Sequence, residues 1–404
     1  MNLAKRLQLI KPSPTLMVTV QVAALRRQGI EVIDFGAGEP DFDTPEHIKE
    51  AAITALKQGK TKYTPVGGTA ELKEAIIAKL QRDNSLTYSM QEVTANCGGK
   101  HTLFNAFHAL FGEGDEVLIP APYWVSYSNM VILTGGQPKL LPTSEETGFK
   151  ITATQLQKAI GPQSKALLLN SPSNPTGAAY TENELRQIAE VIEHSNLLVI
   201  SDDVYEKFLY DSPRCAHILA LKPHLRDRVL IANSLSKTYA MTGWRLGYAA
   251  GPREVISAIE TLQSQSTSNP TSITQAAGVA ALTGTQAPVG IMAKEFAKRR
   301  NYVVQRLRSI PGISCTLPEG AFYVFPRVSA YFGARWQDKT ITSAMDLSLY
   351  LLQEAKVALV AGEGFGSSNH VRISYATSMQ NLEQGLDQIE AALKRLGGVQ
   401  TPGR

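Results

Sequence analysis

Five short apolar runs set the strongest limit on what this chain can fold into. Val117–Ile119, Ala166–Leu169, Leu197–Ile200, Val229–Ala232 and Leu246–Ala249 are strand-sized, uniformly apolar and bounded by Gly, Pro, Ser, Asn or Asp. A strand with one wet face alternates polar and apolar residues. These runs do not, so they suit a sheet covered on both faces. Helix-like stretches lie between them. In one, Thr181 and Glu184 form a capping box ahead of Leu185, Ile188 and Ile192. Such alternation predicts an α/β unit with a mostly parallel sheet.

At 404 residues the chain exceeds the size at which one core stops growing, about 250–300 residues. After about residue 285 the pattern changes to a basic amphipathic helix (291–308), short strand-like segments, a helix near 343–355 and a last one near 380–396. The expected division is an N-terminal arm (1–40) joining a smaller α+β domain (286–404), with a large ligand-binding domain (41–285) between them.

Lys plus Arg is 40 against 36 Asp plus Glu, a net charge of +4 that leaves no footprint for nucleic acid or an anionic membrane. Cys97, Cys215 and Cys315 are too scattered for a disulfide framework. The N-terminus lacks a signal-peptide core, and no apolar run approaches the roughly 18 residues of a membrane span. A cytoplasmic protein is expected. The histidines are scattered, and His101 and His108 lack the neighbours of a metal site, so no metal is expected.

In α/β sheets, ligands gather at the carboxyl ends of strands. Asn170, Asn174 and Gly177 follow the second run, Asp202 and Tyr205 the third, and Ser234 and Lys237 the fourth. Singly, each has an ordinary reading as a turn former or cap. As an ordered series they line a polar ligand. Lys237 is either a loop lysine or a Schiff-base lysine made reactive by its surroundings. A pyridine-ring cofactor also needs an acid to keep its ring nitrogen protonated, a part that Asp202 fits. Ser234, Arg245 and the Gly98–Gly99 pair before a helix would suit a phosphate.

The motifs AGEPDFDTPEHI, KTKYTPVGG, CGGKHTLFN, APYWVSY, NSPSNPTGA, SDDVYE, SLSKTYAMTGWRLGY and HVRISYATS occur in this order. Together they resemble, from about Leu7 to Leu396, the class I pyridoxal-phosphate aminotransferases of fold type I. The likeness is to the aspartate aminotransferase family, in particular its bacterial aspartate/prephenate branch. That resemblance implies pyridoxal 5'-phosphate as cofactor and a homodimer. It implies that Lys237 bonds the cofactor and carries the proton, Asp202 pairs with the ring nitrogen, Tyr205 and Asn174 bond the ring oxygen, and Trp124 stacks on the ring. Ser234, Arg245 and the backbone of Gly99 and Lys100 would hold the phosphate, with Tyr63 reaching it from the neighbouring subunit. Arg372, with Asn174, would clamp the substrate α-carboxylate, and Gly38 would close over it.

The same resemblance links Lys100 to the distal carboxylate of aspartate or glutamate and Lys11 to prephenate. A cation at a helix start is otherwise mildly disfavoured. The branch often has Glu where this chain has Asp203, and little consequence is expected because that side chain need not face the cofactor.

Other readings are weaker. Ser234–Lys237 fits S-x-x-K, but the companion motifs of serine acyl-enzymes fail. Gly99–Lys100 lacks the rest of a P-loop, and Gly362–Gly366 reads as a turn. A regulator with an aminotransferase-like domain needs a DNA-binding module ahead of a match that here starts within the first dozen residues. A β-lyase, or an aminotransferase of alanine or aromatic amino acids, would keep Lys237 and Asp202. Arg372 with a distal cation favours transamination of a dicarboxylic amino acid.

Overall fold

The computed structural model describes residues 3–10, 14–212 and 214–397. After a short strand β1 (Ile33–Asp34) come the members of one seven-stranded sheet: β2 (Val93–Asn96), β3 (Glu116–Ala121), β4 (Gln137–Pro142), β5 (Ser164–Asn170), β6 (Leu198–Asp202), β7 (Val229–Ser234) and β8 (Gly247–Ala250). Their order across the sheet is β2-β8-β7-β6-β5-β3-β4. Strands β3 to β7 pair in parallel, and β8 runs antiparallel to both β7 and β2. The chain is thus α/β with a mostly parallel central sheet. All five apolar runs contribute strands to it.

Uniform hydrophobicity has the expected cause. Leu167, Leu169, Val199 and Ile231 join a core on one face of the sheet, while Ala166, Leu168, Ile200 and Leu230 join a second core on the other. Side chains alternate between faces with period two, so a strand packed on both sides has no polar position to spare. Helix 182–193 buries Leu185, Ile188, Ala189 and Ile192. It starts on the predicted box, in which Glu184 Oε2 accepts from the Thr181 N–H at 2.8 Å.

Past the sheet, the basic helix runs from Ala287 to Ser309, four residues earlier than its periodicity suggested, because Pro288 is tolerated in the first turn. Residues 344–350 are α-helical and 351–355 close a π turn. Three short strands, Val360–Ala361, Val371–Ser374 and Tyr323–Val324, form an antiparallel sheet in that order. Strand β1 pairs in parallel with Val357–Ala358, which ties the start of the chain to this C-terminal region. Aromatic rings bridge this region and the main sheet: Phe208 meets Phe296 edge-on at 5.1 Å, and Tyr205 meets Tyr323 at 5.7 Å. Among the described residues no single helix is long and apolar enough to cross a membrane.

Candidate active site

The carboxyl ends of β5, β6 and β7 open onto a cavity of about 510 Å³. Its far wall comes from residues 34–39, Tyr323 and Arg372. Eleven of the thirteen residues to which the resemblance gives a role border it: Gly38, Gly99, Lys100, Trp124, Asn174, Asp202, Tyr205, Ser234, Lys237, Arg245 and Arg372. Tyr63 does not; it is 90% exposed on the surface of the chain. Lys11 lies outside the described residues.

Lys237 sits on the one-turn helix Leu235–Thr238 that follows β7. Its Nζ donates to the Gly38 backbone oxygen, 199 residues away in sequence. Burial pushes its amine down to about 8, against the pull of Glu39, and the nearby cations Arg372, Arg245 and Lys100 lower it further. An amine held near neutrality in a cavity wall is a nucleophile and a base at working pH.

Asp202, the last residue of β6, is buried. Its Oδ2 accepts from Tyr127 Oη at 2.5 Å and its Oδ1 from the Val204 N–H at 3.3 Å. Burial raises the carboxyl to about 6, and the tyrosine hydrogen bond opposes the rise. Asp203 turns the other way. It accepts from Ser201 Oγ at 2.6 Å and lies 3.2 Å from His217 Nε2. Burial would raise it, yet these partners hold it below the ordinary carboxylate range. It does not border the cavity.

An anion cradle lines the same cavity beside Ser234 and Arg245. Helix 99–110 begins without a side-chain cap, so its first N–H groups lack intrahelical partners. Gly98 has φ +97°, and a Cβ there would come within 2.6 Å of Arg245 Nη2. A Cβ on Gly247 would lie 2.4 Å from the Gly99 nitrogen. Glycine at these places lets two backbone segments and a guanidinium close on one spot beside Ser234. Behind them the fully buried Gln263 donates to the Val66 and Ala95 oxygens at 2.7 and 2.9 Å and accepts from Asn96 at 2.7 Å. The loop is therefore braced from beneath.

Arg372, 2% exposed, reaches the cavity from strand 371–374. Nη1 donates to Asn174 Oδ1 at 3.1 Å and Nη2 to the Gly36 oxygen at 2.7 Å, while Nε has no partner among the described residues. The guanidinium stacks at 4.6 Å over Tyr323 and 5.1 Å over Phe365. A buried guanidinium with donors to spare is a site for a carboxylate. Tyr205 Oη shares a hydrogen bond with Tyr323 Oη at 2.8 Å, and burial keeps the Tyr205 phenol well above its ordinary value. Lys100 Nζ hovers 5.0 Å over the Trp124 ring, at the mouth rather than the floor, and burial followed by Arg245 lowers its amine.

Sequence reasoning missed Tyr127 and Tyr323. Tyr127 falls inside the APYWVSY motif three residues after Trp124, a spacing that places both on one turn. No sequence signal pairs Tyr323 with Tyr205, because the contact spans 118 residues. The two histidines considered for metal are otherwise engaged: His108 Nδ1 bonds the Phe104 oxygen at 2.9 Å, and His101 Nδ1 accepts from the Cys97 N–H at 3.3 Å.

The pocket offers a buried carboxylate, an anion cradle, a reactive amine and a carboxylate clamp. Such a set fits a phosphorylated pyridine ring together with an amino acid. Comparisons with known proteins agree. The model of the family "Aminotransferase class I and II" matches residues 30–389. An aspartate aminotransferase of Geobacillus stearothermophilus is 48% identical over 96% of this chain and 98% of its own. An aspartate/prephenate aminotransferase of Nitrosomonas europaea is 46% identical over 97% of this chain and 100% of its own. The crystal structure of the aspartate aminotransferase from Rhizobium meliloti superposes with a TM-score of 0.94 at 46% identity, covering 98% of this chain and 99% of that one.

Proposed function

The chain belongs to the aminotransferase class I and II family, and on that premise we propose a substrate, a cofactor and a role for each residue of the cavity. The enzyme moves the amino group of L-aspartate or L-glutamate to a 2-oxo acid such as 2-oxoglutarate, with prephenate as a further acceptor. Its cofactor is pyridoxal 5'-phosphate. When bound, this group supplies an electrophilic carbon for the amine and a protonated ring that accepts the electron pair released at the substrate α-carbon.

Lys237 holds the cofactor at rest. Its free amine would take the proton from the substrate α-carbon. Its low basicity keeps part of it unprotonated near neutral pH, ready to accept that proton. Asp202, ionised at that pH, faces the ring nitrogen and keeps it protonated. Ser234, Arg245 and the N–H groups of Gly99 and Lys100 bind the phosphate. Trp124 covers the ring, and Tyr205 and Asn174 bond its oxygen. Arg372 binds the α-carboxylate, and Lys100 at the mouth binds the distal one. Gly38, whose oxygen receives Lys237, closes the site from the N-terminal side as the 286–404 domain and the 1–40 arm move against residues 41–285.

We also infer a homodimer in the cytoplasm, with Tyr63 contributed to the phosphate of the neighbouring subunit. Its exposure, away from its own cavity, supports that arrangement. The observation that carries the whole reading is the lowered amine of Lys237 facing the same cavity as the buried Asp202.

The visible spectrum of the purified protein tests it. A cofactor band that converts to the pyridoxamine form with L-aspartate, and barely with L-alanine, is expected. A band unmoved by either amino acid would overturn the dicarboxylate assignment, and no band after adding pyridoxal phosphate would overturn the cofactor.

A further inference from the structure

Tyr127 is 1% exposed, and among the described residues its hydroxyl bonds one side chain, Asp202, at 2.5 Å. Some other buried tyrosines donate to backbone oxygens, as Tyr350 does to that of Ala392 at 2.7 Å. The Tyr127 acceptor is instead the carboxylate facing the cavity. Its position is set by the turn that sets Trp124: the Tyr127 N–H donates to the Trp124 oxygen at 3.0 Å, and the two rings meet edge-on at 5.2 Å. Asn170 Nδ2 anchors the Asp202 backbone oxygen at 2.9 Å, so the backbone is held independently of the side chain.

We propose that Tyr127 is a positioning residue that acts through Asp202, orienting its carboxylate and favouring its anionic form for the cofactor ring. The inference rests on the reading of Asp202 as the ring's partner.

Three other titratable groups lie near Asp202. Asp203 follows it on the chain, Lys237 looks across from the turn after β7, and Tyr205 lies one turn on. Asp203 is engaged by Ser201 and His217, Tyr205 by Tyr323, and Lys237 by Gly38. Tyr127 is the one side chain that donates to the Asp202 carboxylate among the described residues. Burial keeps the phenol well above its ordinary value, so the proton stays on Tyr127 and the charge on Asp202. One carboxylate oxygen is thereby occupied, and the other, held by a longer backbone bond, keeps lone pairs for a further donor.

The test is the affinity for pyridoxamine phosphate, which forms no covalent bond with Lys237, measured by fluorescence titration at pH 6.5 and 8.5. Tyr127→Phe keeps the ring and its contact with Trp124 while removing the hydroxyl, and a thermal melt of the cofactor-free variant checks its fold. Relative to the unmodified protein, Tyr127→Phe should bind about tenfold more weakly at pH 6.5 and within about twofold at pH 8.5, the scale of one hydrogen bond to a charged group. In an Asp202→Asn background the same change should have less than about a twofold effect at either pH. A loss equal at both pH values, or undiminished in that background, would show that Tyr127 only packs and would overturn the proposal. Unchanged affinity in Asp202→Asn itself would instead remove the ring-partner reading and this inference with it.

Discussion

Arg372 Nη1 donates to Asn174 Oδ1 at 3.1 Å, joining residues 198 apart in the chain. With its second nitrogen on the Gly36 oxygen, the guanidinium links the C-terminal sheet, the turn after β5 and the segment after β1 at one cavity wall. A ligand carboxylate at that wall would be held by three parts of the chain at once.

Arg372→Ala should lower kcat/KM for every amino acid tried. Truncating a buried, hydrogen-bonded charge costs about 2–4 kcal/mol, or roughly 30- to 1000-fold. Steady-state kinetics with aspartate, glutamate and alanine check it. Arg372→Lys should recover little, since a point charge does not reproduce the two-pronged guanidinium.

Lys237→Ala should abolish turnover while leaving the cofactor able to bind non-covalently. In the unmodified protein the neutral amine is the reactive form, and burial sets its value at about 8. Covalent capture of pyridoxal phosphate by cofactor-free protein, followed by stopped-flow absorbance, should therefore speed up about tenfold per pH unit below 8 and level off above it. A rate still climbing tenfold per unit at pH 9.5 would show an ordinary lysine.

Lys100→Ala should weaken aspartate and glutamate by roughly tenfold or more in kcat/KM, and alanine far less, because only the former have a second carboxylate. Equal losses for alanine and aspartate would remove the distal-carboxylate role.

Asp202 also predicts how stability varies with pH in the cofactor-free protein. Its folded-state value is raised from 3.8 to about 6, so the folded form holds its proton more tightly than the unfolded chain. That contribution is fully present below about pH 4 and is lost as pH rises through 6. Between pH 4 and 7 the unmodified protein should lose about 2 kcal/mol relative to Asp202→Asn. Urea unfolding at both pH values measures the difference, and parallel curves would contradict it.

Much of this was legible without coordinates because it is local. The capping box at Thr181–Glu184, the period-two burial of β5 and β6, and the polar residues just past each apolar run depend on neighbours a few positions away. Helix 287–309 began earlier than read because a proline in the first turn is a permitted start rather than a stop. The position of Lys237 just past an apolar run told that it would sit at the carboxyl end of a strand, where it lines the cavity. Its basicity did not follow from its motif alone, since it comes first from burial and then from Glu39 and Arg372, both remote in sequence, with only Arg245 supplied by the motif itself.

The sequence by itself determined the α/β class, the strand ends that carry polar groups and which lysine follows β7 at the cavity, all from short-range pattern and motif. Only the tertiary structure decided that β8 runs against its neighbours, that Tyr127 serves Asp202, that Tyr205 pairs with Tyr323, and that Arg372 meets both Asn174 and Gly36. The physical reason is distance along the chain. Periodicity and capping are written in spacings of two to four residues, whereas these contacts close loops of tens to hundreds of residues. Which partner a buried polar group finds there is settled by how the whole core packs.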